Sequence, residues 1–277
     1  MQIAVTGGNG DMGRALLPYL LEQGHTVLSL DRALPPNTGP LAGPGVNFML
    51  ADVTDFGQVV ACLRGCQAVV HLAAHRSPVI APEPLVYSEN TAGSYNVLCA
   101  AALLGIRRVC LASSVNAIGG VFSRQPRYDY FPLDELHPTY AEDPYSLSKW
   151  VLEQQADACA RRDPALTIAS LRFHWLMETR EQAGEMSARF ADTTVRHLWG
   201  YTALSAAARA CLLALTADFH GHEVFYIAAP RLAIAGESRA LARQHFPQVP
   251  VRGDLPGDAG FYNCAKAERL LGWRHTE

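Results

Sequence analysis

The sequence has little of what marks membrane-spanning, secreted or nucleic-acid-binding proteins. Its longest apolar stretch, residues 97–106, is far shorter than the ~20 residues that a membrane-spanning helix needs. The 23 Lys and Arg residues nearly balance the 26 Asp and Glu residues, so no excess of positive charge suggests nucleic acid or an anionic membrane as a partner. The chain opens on strand-like residues 2–5 without the leader of a signal peptide. We therefore expect a cytoplasmic protein that acts on a small molecule.

The seven cysteines are an odd number and include no Cys-x-x-Cys pair, which argues against a disulfide framework. His220 and His222 precede a strand-like run and lack a third ligand, so we predict no metal site. The 277 residues suffice for one large domain, or for a domain with a small appendage.

Short β-rich runs alternate with longer helical patterns along most of the chain. The strand-like runs are 3–6, 26–30, 46–50, 68–72, 108–112 and 166–171, and the helical patterns between them include 11–22, 56–63, 85–104 and 145–161. This alternation predicts an α/β fold, a doubly wound (Rossmann) parallel sheet.

The alternation breaks after Arg172. Residues 173–201 are predicted to be irregular, a helix over 204–217 and a strand over 223–228 follow, and the last stretch shows one helix over 236–244. We predict a dinucleotide-binding domain over residues 1–172, with its sheet completed by about 202–229. Residues 173–201 and 230–277 would form a small C-terminal substrate-binding cap.

Residues 6–13 read TGGNGDMG and lie between the first strand and the first helix. Glycines at these spacings permit a tight turn, close approach to a pyrophosphate, and packing of the helix on the strand. The helix start also offers free N–H groups to phosphate oxygens. The sequence therefore predicts a dinucleotide site formed by Gly7, Asn9, Gly10, Asp11, Met12 and Gly13.

The ends of the next strands carry the remaining cofactor candidates. Asp31 favours NAD because a carboxylate there accepts hydrogen bonds from ribose hydroxyls and repels a 2′-phosphate, whereas Arg32 argues the other way because arginine can hold that phosphate. Small side chains after the fourth strand let a cofactor cross the sheet edge. The further candidates are Asp52 and Val53 near the adenine, then Leu72, Ala73 and Ala74, while His75 is either a surface residue or part of the substrate pocket.

The pentapeptide Tyr145–Lys149 points to proton transfer. Asp143 suits a helix N-cap and Pro144 the first helical position, so the tyrosine and the lysine lie one turn apart on one face. A tyrosine must lose about three pKa units to act as a base at neutral pH, and a nearby ammonium and the positive nicotinamide ring both favour the phenolate. Ser114 ends the fifth strand, where its hydroxyl can bond a substrate oxygen.

Together these residues resemble the extended short-chain dehydrogenase/reductases, the NAD-dependent epimerase/dehydratase family. TGGNGDMG is similar to the family's TGxxGxxG, Asp52-Val53 to its acidic-aliphatic pair, and Tyr145 with Lys149 to its YxxxK. Ser114 falls at the family's catalytic serine or threonine. Asn90 begins Asn90-Thr91-Ala92-Gly93, which resembles an N-x-x-G helix whose asparagine helps to hold the active-site geometry.

The resemblance implies NAD as cofactor and a shared set of catalytic residues. Tyr145 would take a hydroxyl proton, Ser114 would steady the oxygen, and Lys149 would lower the tyrosine's pKa and hold the nicotinamide ribose. A dehydrogenase and an epimerase or dehydratase use the same residues, so these motifs do not separate them. A third possibility is a non-catalytic NAD(H)-binding regulator, against which the intact Ser114, Tyr145 and Lys149 argue. The resemblance also implies a homodimer formed through residues 85–104 and 145–161.

The short segment after the sixth strand resembles that of the uronate dehydrogenases, which oxidise a free sugar acid, and the resemblance favours a small polar, sugar-like substrate such as a uronic acid over a nucleotide sugar. Arg196 resembles the position from which those enzymes present an arginine to the substrate carboxylate, and Arg172, Arg180 and Arg189 compete for this role. The predicted substrate contacts are His75, Ser114, Val115, Asn116, Tyr145, His174 and Arg196.

Overall fold

The computed structural model describes residues 1–34 and 45–276, and its centre is a parallel sheet. The strands are β1 (Gln2–Thr6), β2 (Thr26–Asp31), β3 (Val46–Leu50), β4 (Ala68–His71), β5 (Arg108–Ser114), β6 (Thr167–Phe173), β7 (Leu176–Met177), β8 (Thr202–Ala203) and β9 (Gly221–Ile227). Seven of them form one sheet in the order β3-β2-β1-β4-β5-β6-β9, with every neighbouring pair parallel. The order reverses between β1 and β4, where open α/β sheets bind ligands at the carboxyl ends of their strands. The predicted doubly wound sheet is confirmed.

Helices cover both faces of this sheet. They are α1 (Asp11–Glu22), α2 (Phe56–Leu63), α3 (Glu83–Leu104), α4 (Pro144–Arg162), α5 (Arg180–Arg189), α6 (Ala191–Thr194), α7 (Leu204–Thr216), α8 (Ser238–His245) and α9 (Ala265–Leu271). The helices α1 and α7 pack in one apolar layer, and α2, α3 and α4 pack in the other. Within the described residues, none of these helices has both the length and the apolar character needed to cross a bilayer.

Strand β5 shows why the central strands lack polar alternation. Val109 and Leu111 point into the layer formed with α2, α3 and α4, whereas Cys110 points into the layer formed with α1 and α7. Because helices cover both faces, successive side chains of a central strand are all buried, and the strand reads as a continuous apolar run.

A third apolar cluster lies beyond the carboxyl end of the sheet. It joins the last part of the chain, including Phe246 and Phe261, to Tyr128, Phe131 and Leu133 from the long connection between β5 and α4. Phe131 packs on Phe261 with ring centroids 4.8 Å apart, and short backbone bridges run from Phe131 to Val251 and from Leu133 to Tyr262. The predicted boundaries of the cap stay a prediction, and this packing adds the connection after β5 to its apolar core.

Two parts of the secondary structure differ from the sequence prediction. Residues 173–201, predicted to be irregular, contain β7, α5 and α6. The helix α5 buries only Ala183 and Ser187, so its sequence carries no apolar stripe by which to recognise it. The end of the chain, predicted to contain one helix, contains both α8 and α9. The seven residues of α9 are too few to show a helical period.

Candidate active site

The loop between β1 and α1 is shaped by contacts that only glycine permits. Gly7 has a φ of +72°, and a Cβ there would lie 2.7 Å from the backbone nitrogen of Ala73. A Cβ at Gly13 would lie 2.4 Å from the carbonyl oxygen of Gly8. Gly10 caps α1 without a side chain, so the first N–H groups of the helix are open to phosphate oxygens.

Asn9 and Asp31 join this loop to the end of β2. The Asp31 carboxylate accepts a hydrogen bond from the backbone N–H of Asn9 at 3.0 Å, and the Asn9 amide donates to the carbonyl oxygen of Ala33 at 2.6 Å. Two buried polar atoms, Asn9 Oδ1 and Ser29 Oγ, have no partner among residues 1–34 and 45–276. Because such atoms are costly to leave unpaired, they fit a site that a polar ligand completes. The glycine turn, the open helix start and the carboxylate after β2 together suit a dinucleotide.

An acidic residue, Asp11, lies at the start of α1, where a phosphate would approach. Arg14 donates to one of its carboxylate oxygens at 2.6 Å, and Arg76 donates to the other at 2.5 Å. All three side chains are half-exposed or more. Two arginines around one carboxylate leave a net positive charge here, which favours a pyrophosphate. Neither arginine was predicted from the sequence. The only sequence signal for Arg76 was its position directly after His75.

The loop after β3 is fixed against α3. Asp52 accepts hydrogen bonds from the backbone and the hydroxyl of Thr54, and Val53 lies so close to Gly93 that a Cβ there would be 2.8 Å from the Val53 side chain. The Asn96 amide donates to the carbonyl oxygen of Val53 at 3.0 Å. These contacts hold Asp52 and Val53 at the carboxyl edge of the sheet, the edge at which we predicted adenine to bind. The glycine of the N-x-x-G motif is therefore needed for this close approach.

Asn90 connects the loop after β4 to α4. Its Oδ1 accepts a hydrogen bond from the backbone N–H of His75 at 2.8 Å, and its Nδ2 donates to the His75 carbonyl and to Ser148 Oγ, both at 3.0 Å. Ser148 precedes Lys149 in α4. Asn90 therefore positions the loop after β4 relative to the helix that carries Tyr145 and Lys149.

Ser114, Tyr145 and Lys149 meet where β5 ends and α4 begins. The helix starts as predicted, because the Asp143 side chain accepts the backbone N–H of Ser146 at 2.9 Å and Pro144 occupies the first position. Tyr145 and Lys149 are 8% and 5% exposed, and the lysine Nζ lies 5.8 Å from the tyrosine ring centroid. The same Nζ donates to the Ala112 carbonyl of β5 at 2.7 Å. The hydroxyl groups of Ser114 and Tyr145 are therefore close enough to act on one substrate oxygen, with the charge of Lys149 beside them.

Burial shapes the acid–base properties of this site. The pKa of Tyr145 lies above its ordinary value because burial raises it, although its hydrogen bond with Ser114 lowers it. The pKa of Lys149 falls to about 8, because burial outweighs the opposing charge of Glu153. From the sequence we expected the Lys149 ammonium to bring the tyrosine pKa below its usual range. In the structure the loss of water around the phenol is the larger effect.

Comparison with known proteins identifies the family to which this chain belongs. The model of the NAD dependent epimerase/dehydratase family matches residues 3–227. The chain belongs to this family. NAD is therefore its cofactor, and the residues predicted to hold it lie in the glycine loop, at the end of β2 and in the loops after β3 and β4.

Individual relatives are more distant. A putative dihydroflavonol 4-reductase of Synechocystis sp. is 34% identical over 170 residues, which cover 60% of this chain and 47% of that protein. The chain spans about half the length of the curated relatives it matches. The structure of MoeE5 in complex with UDP-glucuronic acid and NAD superimposes with a TM-score of 0.74 at 22% identity, covering 100% of this chain and 94% of its own. A mutated uronate dehydrogenase gives 0.70 at 19% identity, covering 100% and 82%. Both share the fold.

A buried histidine that the sequence did not single out lies beneath the family's glycine loop. The Thr6 hydroxyl oxygen accepts the backbone N–H groups of Leu72 and Ala73, each at 3.2 Å, so its own hydrogen is directed to Nδ1 of His71 at 2.8 Å. Burial, assisted by the charge of Lys149, lowers the pKa of His71 to about 3, so the ring is neutral. The pair ties β1 to β4 directly under the cofactor crossing.

A buried ion pair one turn beyond Lys149 was also missed. Glu153 accepts two hydrogen bonds from the Arg172 guanidinium, at 2.8 and 2.9 Å, and a third from the Ser113 hydroxyl at 2.6 Å. Tyr145, Lys149 and Glu153 follow one another at intervals of four residues, and this spacing was the only sequence signal for Glu153. Because Arg172 is buried in this pair, it is not placed to recognise a substrate carboxylate.

The predicted substrate residues differ in what remains available to a ligand. Val115 and Asn116 lie in a short 3₁₀ helix after Ser114, where the Asn116 side chain accepts the Val121 N–H at 3.3 Å. His174 is buried, its Nδ1 accepts the N–H of Trp175 at 2.6 Å, and its Nε2 donates to the carbonyl of His197 at 2.8 Å. Both ring nitrogens of His174 are thus occupied by backbone groups. Its contact with substrate stays a prediction that this geometry does not favour.

Arg196 is held against the connection between β5 and α4. One of its nitrogen atoms donates to the carbonyl oxygen of Ser123 at 2.9 Å, and the Tyr128 hydroxyl donates to the Arg196 carbonyl at 2.9 Å. Phe122, the neighbour of Ser123, packs edge-on against the Tyr145 ring at 5.8 Å. Within the described ranges the Arg196 guanidinium forms no ion pair, so no carboxylate there neutralises its charge. By contrast, Arg180 is paired with Asp258, and Arg189 lies over the Phe190 ring.

Proposed function

We propose that this chain is an NAD-dependent oxidoreductase that oxidises a hydroxyl group of a small sugar acid. The observation that carries the proposal is the position of Arg196, which forms no ion pair within the described part of the chain. Its guanidinium donates to the carbonyl of Ser123, and Phe122, the residue before Ser123, contacts the Tyr145 ring. A substrate whose hydroxyl meets Tyr145 and whose carboxylate meets Arg196 would satisfy both groups.

In the proposed mechanism Tyr145 receives the proton of the substrate hydroxyl and Ser114 hydrogen-bonds the same oxygen. The Lys149 ammonium, desolvated and attached to the Ala112 carbonyl, supplies the positive charge that favours the phenolate. Bound NAD supplies the acceptor for the hydride. Since burial raises the pKa of free Tyr145, the base must become deprotonated in the complex, where charges and hydrogen bonds replace the missing water.

The choice of a sugar acid is supported by the guanidinium itself. Its planar pair of N–H donors matches a carboxylate, and its charge does not depend on pH in the physiological range. The same fold occurs in a uronate dehydrogenase and in MoeE5, which was solved in complex with UDP-glucuronic acid. The fold is therefore compatible with a substrate that carries a uronic acid. Epimerisation or dehydration would use Tyr145, Ser114 and Lys149 in the same way and is the alternative.

Incubation with NAD and a panel of uronates, neutral aldoses and nucleotide sugars tests the proposal. Net formation of NADH with a uronate supports it, whereas interconversion of nucleotide sugars without accumulation of NADH supports the epimerase instead. A best substrate without an anionic group would contradict the role of Arg196.

A substitution then tests the residue. Arg196→Ala is expected to raise KM for the acidic sugar by about tenfold or more without weakening NAD binding, because a charge-assisted pair in a partly buried site is lost. Arg124→Ala is the matched control, since Arg124 is an exposed arginine next to Ser123. Equal KM values for the two variants would show that Arg196 does not bind the substrate carboxylate.

A further inference from the structure

The carboxylate of Glu89 lies between the side chains of Arg32 and His75, beside the predicted dinucleotide site. Its Oε2 is 3.3 Å from Arg32 Nη1 and 2.7 Å from His75 Nε2. Arg32 follows β2, and Glu89 belongs to α3, which begins after β4. The ion pair therefore joins the adenosine end of the site to the helix on its other side.

We infer that Glu89 is a selectivity-determining residue that makes this chain prefer NAD over NADP by engaging Arg32. An arginine directly after the acidic residue of β2 is placed to hold a 2′-phosphate, so Arg32 alone would favour NADP. In the structure that guanidinium is turned to Glu89. Asp31 therefore accounts for only part of the preference, and the inference rests on the cofactor site and not on the proposed substrate.

Both partners of the pair are anchored through their neighbours. Asp31 and Ala33, on either side of Arg32, are bonded to Asn9. Asn90, next to Glu89, is bonded through its side chain to the backbone of His75. The Arg32 side chain is 63% exposed and that of Glu89 is 29% exposed, so the carboxylate is the more buried member of the pair.

The structure predicts two consequences for a ligand with a 2′-phosphate. It would have to take Arg32 from Glu89, and it would then face two carboxylates, Asp31 and Glu89, instead of one. Exposed ion pairs are weak, so releasing Arg32 changes the affinity by up to about fivefold. Repulsion between the phosphate and Glu89 adds to this. NAD, which carries no phosphate at that position, meets neither effect.

Dissociation constants for NAD and NADP, measured by calorimetry on the whole chain without substrate, test the inference. In Glu89→Gln the amide oxygen can still accept the His75 N–H, but the charge is gone. The ratio Kd(NADP)/Kd(NAD) is expected to fall at least fivefold. Glu83→Gln removes the same charge from an exposed position in the first turn of α3 and is expected to leave the ratio unchanged.

The double variant Glu89→Gln, Arg32→Ala identifies the group through which Glu89 acts. If Arg32 is released to the phosphate, the double variant, compared with Arg32→Ala, loses the part of the gain in NADP affinity that depends on Arg32 and keeps only the relief of repulsion. An unchanged ratio in Glu89→Gln, with NAD still bound, overturns the inference. A ratio that falls as far when Glu89→Gln is added to Arg32→Ala as when it is added to the wild type overturns it as well, because repulsion alone would then explain the effect, and so does an equal change in Glu83→Gln. A chain that oxidises no sugar acid would refute the proposed substrate and leave this measurement unaffected.

Discussion

Replacement of Lys149 by methionine is expected to make the protein more stable while abolishing its activity. Lys149 is 5% exposed, and burial lowers its pKa from 10.5 to about 8. A shift of this size corresponds to about 3 kcal/mol of unfavourable free energy for keeping the ammonium in the folded state. Methionine has a similar length and carries no charge. Its one disadvantage is the Ala112 carbonyl, which loses its donor at a cost of roughly 1 kcal/mol.

The sign of the pH dependence follows from these two pKa values. Below pH 8 the lysine is protonated in both states, and the whole penalty is present. Between about pH 8 and 10.5 the unfolded chain holds a proton that the folded chain has lost, so the stability contributed by this group rises with pH. Lys149→Met is therefore expected to gain about 2 kcal/mol at pH 7, and the advantage should disappear as the pH approaches 10.

Urea unfolding of the two proteins without cofactor, at pH 7 and near pH 10, measures this difference directly. Comparing wild type with variant at each pH cancels the titration of the groups that do not interact with Lys149. A variant that is no more stable at pH 7, or an advantage that stays constant with pH, would refute the reasoning. In the first case the Lys149–Ala112 contact outweighs desolvation. In the second the stability effect does not come from the charge.

Two further predictions concern Tyr145 and Glu153, which lie on the same helix, α4, as Lys149. Tyr145→Phe removes only the phenol oxygen, so turnover of the true substrate should fall by roughly 10²–10⁴ while calorimetry shows NAD binding retained; near-normal turnover would mean that another group is the base. Arg172→Met leaves the Glu153 carboxylate buried without its partner, so urea unfolding should show a loss of about 3–5 kcal/mol, and adding Glu153→Leu should recover much of it. A double variant as unstable as Arg172→Met would show that packing, not the unpaired charge, causes the loss.

The features predicted from the sequence are those written in short stretches of chain. The glycine loop, the Asp143 cap and the spacing of Tyr145 and Lys149 each depend on residues within one turn or one helix. Local periodicity likewise gave the order of strands and helices up to β6. The alternation of strand and helix then determined that the strands are parallel, because parallel neighbours need a crossover between them.

The features that escaped prediction depend on contacts between distant parts of the chain. Glu153 meets Arg172 only because α4 packs on β6, and Glu89 meets Arg32 only because the fold brings the first half of α3 close to the residue that follows β2. The pKa of Tyr145 depends on how much water the rest of the fold removes. The ring nitrogens of His174 are satisfied by Trp175 and by His197, and the contact with His197 forms only when the cap is folded.

The connection after β5 links the chemistry to the cap. It carries Phe122 against the Tyr145 ring, offers the Ser123 carbonyl to Arg196, and extends through Phe131 into the apolar cluster of the last part of the chain. A change in this segment is therefore expected to act on both the proposed base, Tyr145, and the proposed carboxylate site, Arg196. Substitutions at Phe122 should alter both kcat and KM, whereas those at Arg196 should alter mainly KM. This one segment therefore contacts both the sheet domain, through Tyr145, and the predicted cap, through Arg196 and Phe261.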